Sequence, residues 1–243
     1  MSHHVLKIVT PLLAQQPSRY SLSVLVSFTP FVALVVLVVM ALYWAKRSVR
    51  RRTAGLQQRA AALGLCYAEQ SDGPLMDHLA EFQLFSQGRN GRMTNVMQGE
   101  SQVAEVSVFD YAYVTGAGKR AQTHRQSVIC LQSSSCFWPA FALRPAGTFH
   151  RFAESAGYRP IVRTVVPLLP ESYLLCGDDE AAVAALFGED QWSVIRSQSI
   201  VSLEGRGDRF LFYRQRQRID PDQLEQFLAE GLELFTLFAG SDV

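Results

Sequence analysis

Between Ser21 and Ala45 the chain runs through SLSVLVSFTPFVALVVLVVMALYWA without one charged side chain. Backbone amides and carbonyls in hydrocarbon must be satisfied inside the segment itself, so an apolar run of this length is restricted to a helix. At about 1.5 Å per residue it exceeds a bilayer core of about 30 Å, and it predicts one transmembrane helix over residues 21–45 with the surplus taken up as tilt. Pro30 removes one backbone donor and predicts a kink in the outer half. A cleaved signal peptide is the competing reading. Its apolar region would be only about 7–15 residues long, and here a polar-to-mixed tail of residues 1–20 comes first.

Charge around the span sets an expected orientation. Lys46, Arg47, Arg50, Arg51 and Arg52 follow it directly, against Lys7 and Arg19 before it. The positive-inside rule therefore predicts an N-terminus outside and the C-terminal part in the cytoplasm. The five cations are also candidate membrane-surface residues, since each Lys or Arg near anionic headgroups contributes about 1 kcal/mol. They serve equally as a plain stop-transfer flank.

The formal net charge of +1 conceals a division. Residues 1–59 carry eight basic and no acidic side chains, which leaves the remainder at −7. An acidic globular part is the opposite of what phosphate-backbone binding needs, so nucleic acid is excluded as an expected partner. The four cysteines are scattered and, in a reducing cytoplasm, are expected as free thiols.

Four segments are proposed: a tail over 1–20, the span over 21–45, a basic juxtamembrane stretch over 46–59 and one cytoplasmic α+β domain over 60–243. AGLQQRAAALGL predicts a short helix leading from the membrane. Past a turn at Asp72-Gly73-Pro74, the runs RMTNVMQGE, QVAEVSVFDYAYVT, RAQTHRQSVICLQS and PAFALRP are rich in β-branched and aromatic residues and predict an antiparallel meander. GTFHRFAESAG predicts a helix capped by Thr148 and stopped at Gly157. RPIVRTVVPLLPESYLLCG predicts a Pro-broken extended region. A helix then begins at Asp178-Asp179-Glu180, a second hairpin turns about Gly205-Arg206-Gly207, and a closing helix is capped by Asp220 with Pro221 at its first position. Leu224, Phe227, Leu228, Leu232, Phe235 and Phe238 supply its apolar stripe. The two rounds of strands then helix show no residue pattern at a fixed period.

Candidate chemistry is sparse. Gly116-Ala117-Gly118-Lys119 imitates a phosphate loop, yet Tyr113 stands where the first Gly belongs, Arg120 where the hydroxyl belongs, and a strand follows in place of a helix. It predicts a hairpin turn. His124, Cys130, Cys136 and His150 lack the close pairs of a zinc site, and neither cysteine shows an activating partner. His78 is expected on the surface and His3-His4 in the tail. Asp178, Asp179 and Glu180 are adjacent and point apart, which suits a cap better than paired catalytic acids. GRGD at residues 205–208 is expected as a turn. Arg214, Arg216 and Arg218 alternate in YRQRQR and, on one strand face, would form a stripe able to hold phosphate or carboxylate; a solvated edge is the plainer reading.

At GRNGRMTNVMQGE, VFDYAYVTGAGK, QSVICLQS, FALRPAGTFHR, YLLCGDDEAAVAALF, FLFYR and FLAEGLELFTLF, the chain resembles an uncharacterised family of bacterial proteins with a membrane span and a cytoplasmic domain. The resemblance covers roughly residues 80–240 and implies that architecture but no activity and no functional residue. Ala146 stands where the family often has Glu.

These features together predict a single-pass membrane protein without a cofactor or metal, whose cytoplasmic domain binds a protein partner as a scaffold or sensor. One alternative is an enzyme assembled around the 108–132 hairpin from Asp110, His124 and Arg125. Another is anionic-lipid or small-anion binding through the arginine stripe.

Overall fold

The computed structural model describes residues 19–71, 73–146, 159–198 and 200–240. The tail with His3 and His4, Asp72, and the segment holding Thr148, His150 and Gly157 lie outside the described residues. The chain divides into two compact units, residues 1–51 and 52–243. The second unit thus begins inside the stretch assigned to the juxtamembrane segment.

In the first unit the backbone is helical from Arg19 onward, through Pro30. From Phe31 to Trp44 the large apolar side chains are all exposed, and the segment is long and apolar enough to cross a membrane. This helix, α1 (Arg19–Ala62), continues past the unit boundary, so AGLQQRAAALGL forms its end where a separate short helix was expected. Gly55 does not break it. A Cβ there would stand 2.9 Å from Pro221 Cγ, so the glycine lets the helix approach the start of the last helix.

The second unit is a nine-stranded sheet, paired antiparallel throughout, with helices on it: an α+β domain. The strands are β1 (Cys66–Gln70), β2 (Arg89–Glu100), β3 (Glu105–Thr115), β4 (Gln122–Gln132), β5 (Trp138–Pro145), β6 (Arg159–Ile161), β7 (Tyr173–Gly177), β8 (Ser202–Gly207) and β9 (Arg209–Tyr213). Their order is β1-β2-β3-β4-β9-β8-β5-β7-β6. The expected meander therefore holds from β2 to β4, and then the β8–β9 hairpin is inserted between β4 and β5. That hairpin turns at Asp208, with Gly205 and Arg206 inside β8.

Strand β3 explains why both faces must be covered. Val106 and Val108 point one way, Phe109, Tyr111 and Tyr113 the other, and all are buried. The first face packs on the end of α1 through Leu56 and Ala60, and on α3 (Glu180–Leu186), α4 (Glu189–Ser197) and α5 (Leu224–Ala239). Here Trp138, Phe141, Phe187, Trp192, Phe210, Phe235 and Phe238 form one aromatic cluster, each large side chain worth about 1.5–3 kcal/mol on burial. The second face is covered by Leu79 at the end of α2 (Pro74–Leu79) and by Phe82 and Leu84 just after it. Asp179 caps α3, accepting from the Ala182 amide at 3.0 Å, and Asp220 stands at the N-cap of the turn before α5, where its amide donates to the Gln223 side chain at 3.0 Å. A single 3-10 turn at Pro221–Gln223 precedes α5.

Candidate functional site

Asp110 is the one acid within the apolar run of β3, on the same face as Val106 and Val108. Register places it opposite Ser127 of β4 and Thr94 of β2. Between Thr94 and Met97 the β2 register shifts, and Asn95 takes a φ of 51°, which turns its amide toward the carboxylate. Asp110 accepts from Ser127 Oγ at 2.7 Å, from Asn95 Nδ2 at 2.9 Å and from Arg52 Nη2 at 3.0 Å, and it also pairs with Arg52 Nη1. Arg52 in turn donates to the Ile219 carbonyl from Nη2 at 2.8 Å and from Nε at 3.2 Å. Tyr67 and Thr53 donate to Asn95 Oδ1 at 2.8 and 3.2 Å. The Ile219 amide donates to Ser127 Oγ at 3.1 Å and the Ser127 amide to the Gln217 carbonyl at 3.0 Å. One carboxylate thus ties α1, three strands and the 214–220 loop together.

This node also redistributes the basic residues singled out in the sequence. Lys46, Arg47, Arg50 and Arg51 lie exposed on α1 in the first unit, with Arg47 donating to Tyr43 Oη at 3.3 Å. Arg52 differs. It is committed to Asp110 and Ile219 and its side chain is only 14% exposed, so it is a clamp of the fold and not a free membrane-surface cation.

The proposed stripe of Arg214, Arg216 and Arg218 does not exist as one face. Strand β9 ends at Tyr213, and Arg216 adopts a φ of 60°, which destroys the alternation. Arg214 bonds Glu230 of α5 at 2.6 Å and lies over the rings of Phe212 and Phe227. Arg216 lies exposed near His124. Arg218 is exposed near Arg52, Asp110, Arg125 and Asp220, and burial first, then the neighbouring Arg52, pulls its pKa down.

The trio Asp110, His124 and Arg125 does not converge. Period two sends Asp110 and Arg125 to the helix-covered face and His124 to the other, where it stacks on Tyr113 at 5.0 Å and shares a 2.7 Å hydrogen bond with Thr115 Oγ1. Desolvation, then Arg216, lowers the His124 pKa. An acid and a base on opposite sides of a sheet cannot serve one reacting atom. Burial pushes the thiol of Cys130 up to about 12 and that of Cys176 up to about 11, away from nucleophilic reactivity. The Gly116–Lys119 segment is the hairpin turn expected: Gly116 has a φ of 73°, and a Cβ there would meet the Arg120 carbonyl at 2.5 Å. His78 is exposed as expected. No group of metal-ligating side chains occurs among the described residues.

A second buried ionic node lies on the other face and was not found from the sequence. Arg144 of β5 pairs with Glu204 of β8, and Glu204 also accepts from Tyr213 Oη at 2.8 Å and from the Leu84 amide at 3.2 Å. The acid thereby fastens the segment after α2 to the sheet. Its alternation gave a hint, since Leu203 and Leu143 face the first core while Glu204 and Arg144 face the second. An open groove of about 480 Å³, lined by Gly55, Gln58, Arg59, Ala62, Pro221 and Asp222, includes neither node.

No protein-family model matches the chain, and no curated protein matches it. Among solved structures, the crystal structure of the mycobacterial trehalose monomycolate transport factor A, TtfA, is similar in fold. The TM-score is 0.54 at 14% identity, over 78% of this chain and 91% of that one.

Proposed function

We propose that this chain is a single-pass membrane protein whose second unit lies in the cytoplasm and acts by binding a protein partner, as a scaffold or sensor, rather than by catalysis. The observation that carries this reading is the use of the buried ionisable groups. Asp110, Arg52, Glu204 and Arg144 are spent on one another and on backbone groups, and they hold elements together. An apolar helix followed by five cations supports the anchor and its orientation. The fold neighbour is named a transport factor, which favours a transport assembly as the class of partner.

The test compares the full chain with a variant lacking residues 1–51, each purified in mild detergent from the native membrane. The deletion stops at 51 because Arg52 belongs to the Asp110 node. A stoichiometric partner retained by both forms supports the reading. Absence of a partner from both counts against it.

A further inference from the structure

Arg125 and Arg218 are both exposed, neither forms an ion pair among the described residues, and they lie near one another. Arg52 and Arg214 nearby are engaged by Asp110 and Glu230. The backbone fixes the two side by side. The Ser127 amide bonds the Gln217 carbonyl, and the Ile219 amide bonds Ser127 Oγ, so residues 217–219 are strapped along β4 with Arg218 at the middle of the strap. Arg125 lies two residues before Ser127 and shares its face. Beneath them Arg52 has both edges of its guanidinium turned to Asp110 and the Ile219 carbonyl.

Local charge is unbalanced. Arg52, Arg125 and Arg218 face two carboxylates, Asp110, which Arg52 holds, and Asp220. The group is one cation in excess, and guanidinium pairs favour planar or tetrahedral oxyanions that accept two parallel hydrogen bonds. Burial first, and the adjacent Arg52 next, depresses the pKa of Arg218.

We propose that Arg125 and Arg218 form a binding site for a phosphate-class oxyanion, with the Arg52–Asp110 node as its rigid floor. The site differs from the stripe suggested by sequence, because it takes one residue from β4 and one from the 214–220 loop. It does not depend on the protein-partner reading. A phospholipid headgroup and free phosphate present the same chemistry to it.

The test uses the full chain in neutral-detergent micelles, titrated calorimetrically with inorganic phosphate, with dioctanoyl phosphatidylglycerol and with dioctanoyl phosphatidylcholine. The variants are R125Q, R218Q and both together, with R216Q as a control on the other face. Each position is exposed, so the fold is retained, and an unchanged thermal midpoint confirms it. The expected result is saturable binding of an anionic ligand that weakens about tenfold or more in the double variant and is unchanged in R216Q. Binding of both phosphate and phosphatidylglycerol identifies a general oxyanion site. Binding of phosphatidylglycerol alone identifies a lipid headgroup. The proposal is overturned if neither anion binds saturably, if the double variant binds as well as the parent, or if phosphatidylcholine binds equally.

Discussion

Asp110 accepts hydrogen bonds from Ser127, Asn95 and Arg52, and its side chain is 8% exposed. Breaking a mostly buried pair by removing one charge leaves the other without compensation. Asp110→Asn keeps the shape and leaves Arg52 facing a neutral amide, so it lowers stability by about 3 kcal/mol. A shifted midpoint of urea unfolding in mild detergent, followed through buried Trp138 and Trp192, checks this; an unchanged midpoint removes the clamp role. His124 gives a pH signature. Its folded pKa lies below the ordinary 6.5 because of burial and Arg216, so the unfolded chain binds the proton more readily. Stability is therefore full above pH 6.5 and falls as the pH drops from there toward the depressed value. His124→Gln flattens that part of the profile, as thermal midpoints measured across a pH series would register.

Among the elements, the β5–β8 pair shows how closely the sheet is fitted. Gly205 stands opposite Phe141, and a Cβ at 205 would come within 2.3 Å of the Phe141 ring. That ring is hemmed in by Phe187, Phe210 and Phe238 and cannot yield. Gly205→Ala costs about 1–3 kcal/mol, read as a lowered thermal midpoint, whereas an unchanged midpoint would mean that the ring moves. The elements legible in the sequence are the long periodic ones. β2 to β5, the β8–β9 hairpin and α5 each repeat their pattern often enough to declare a period. β1 and α4 were missed, and β6 and β7 were seen only as a Pro-broken extended region. CYAEQ is an exposed edge with almost no buried face, RPI is too short to alternate, and EDQWSVIRS buries only Trp192 and Ile195. At the candidate site Asp110 was singled out in the sequence only as a member of an enzymatic trio with His124 and Arg125. Its partners were not legible, because Arg52 lies 58 residues away in sequence and Asn95 reaches it through a register shift. The arginine stripe misled for a related reason: nothing in YRQRQR announces that the strand ends at Tyr213.

For the molecule as a whole, the proposed function requires the second unit to lie in the cytoplasm, after one membrane span. The chain provides its own reporter of that arrangement. Of its four cysteines, Cys66 is exposed while Cys130, Cys136 and Cys176 are buried. Cys66 lies within the second unit, shortly after the end of α1. A membrane-impermeant maleimide applied to intact cells, and again after the cytoplasmic membrane is permeabilised, reports which side that unit occupies. A cytoplasmic second unit is labelled after permeabilisation only, with the signal abolished by Cys66→Ser; labelling of Cys66 in intact cells would contradict that placement.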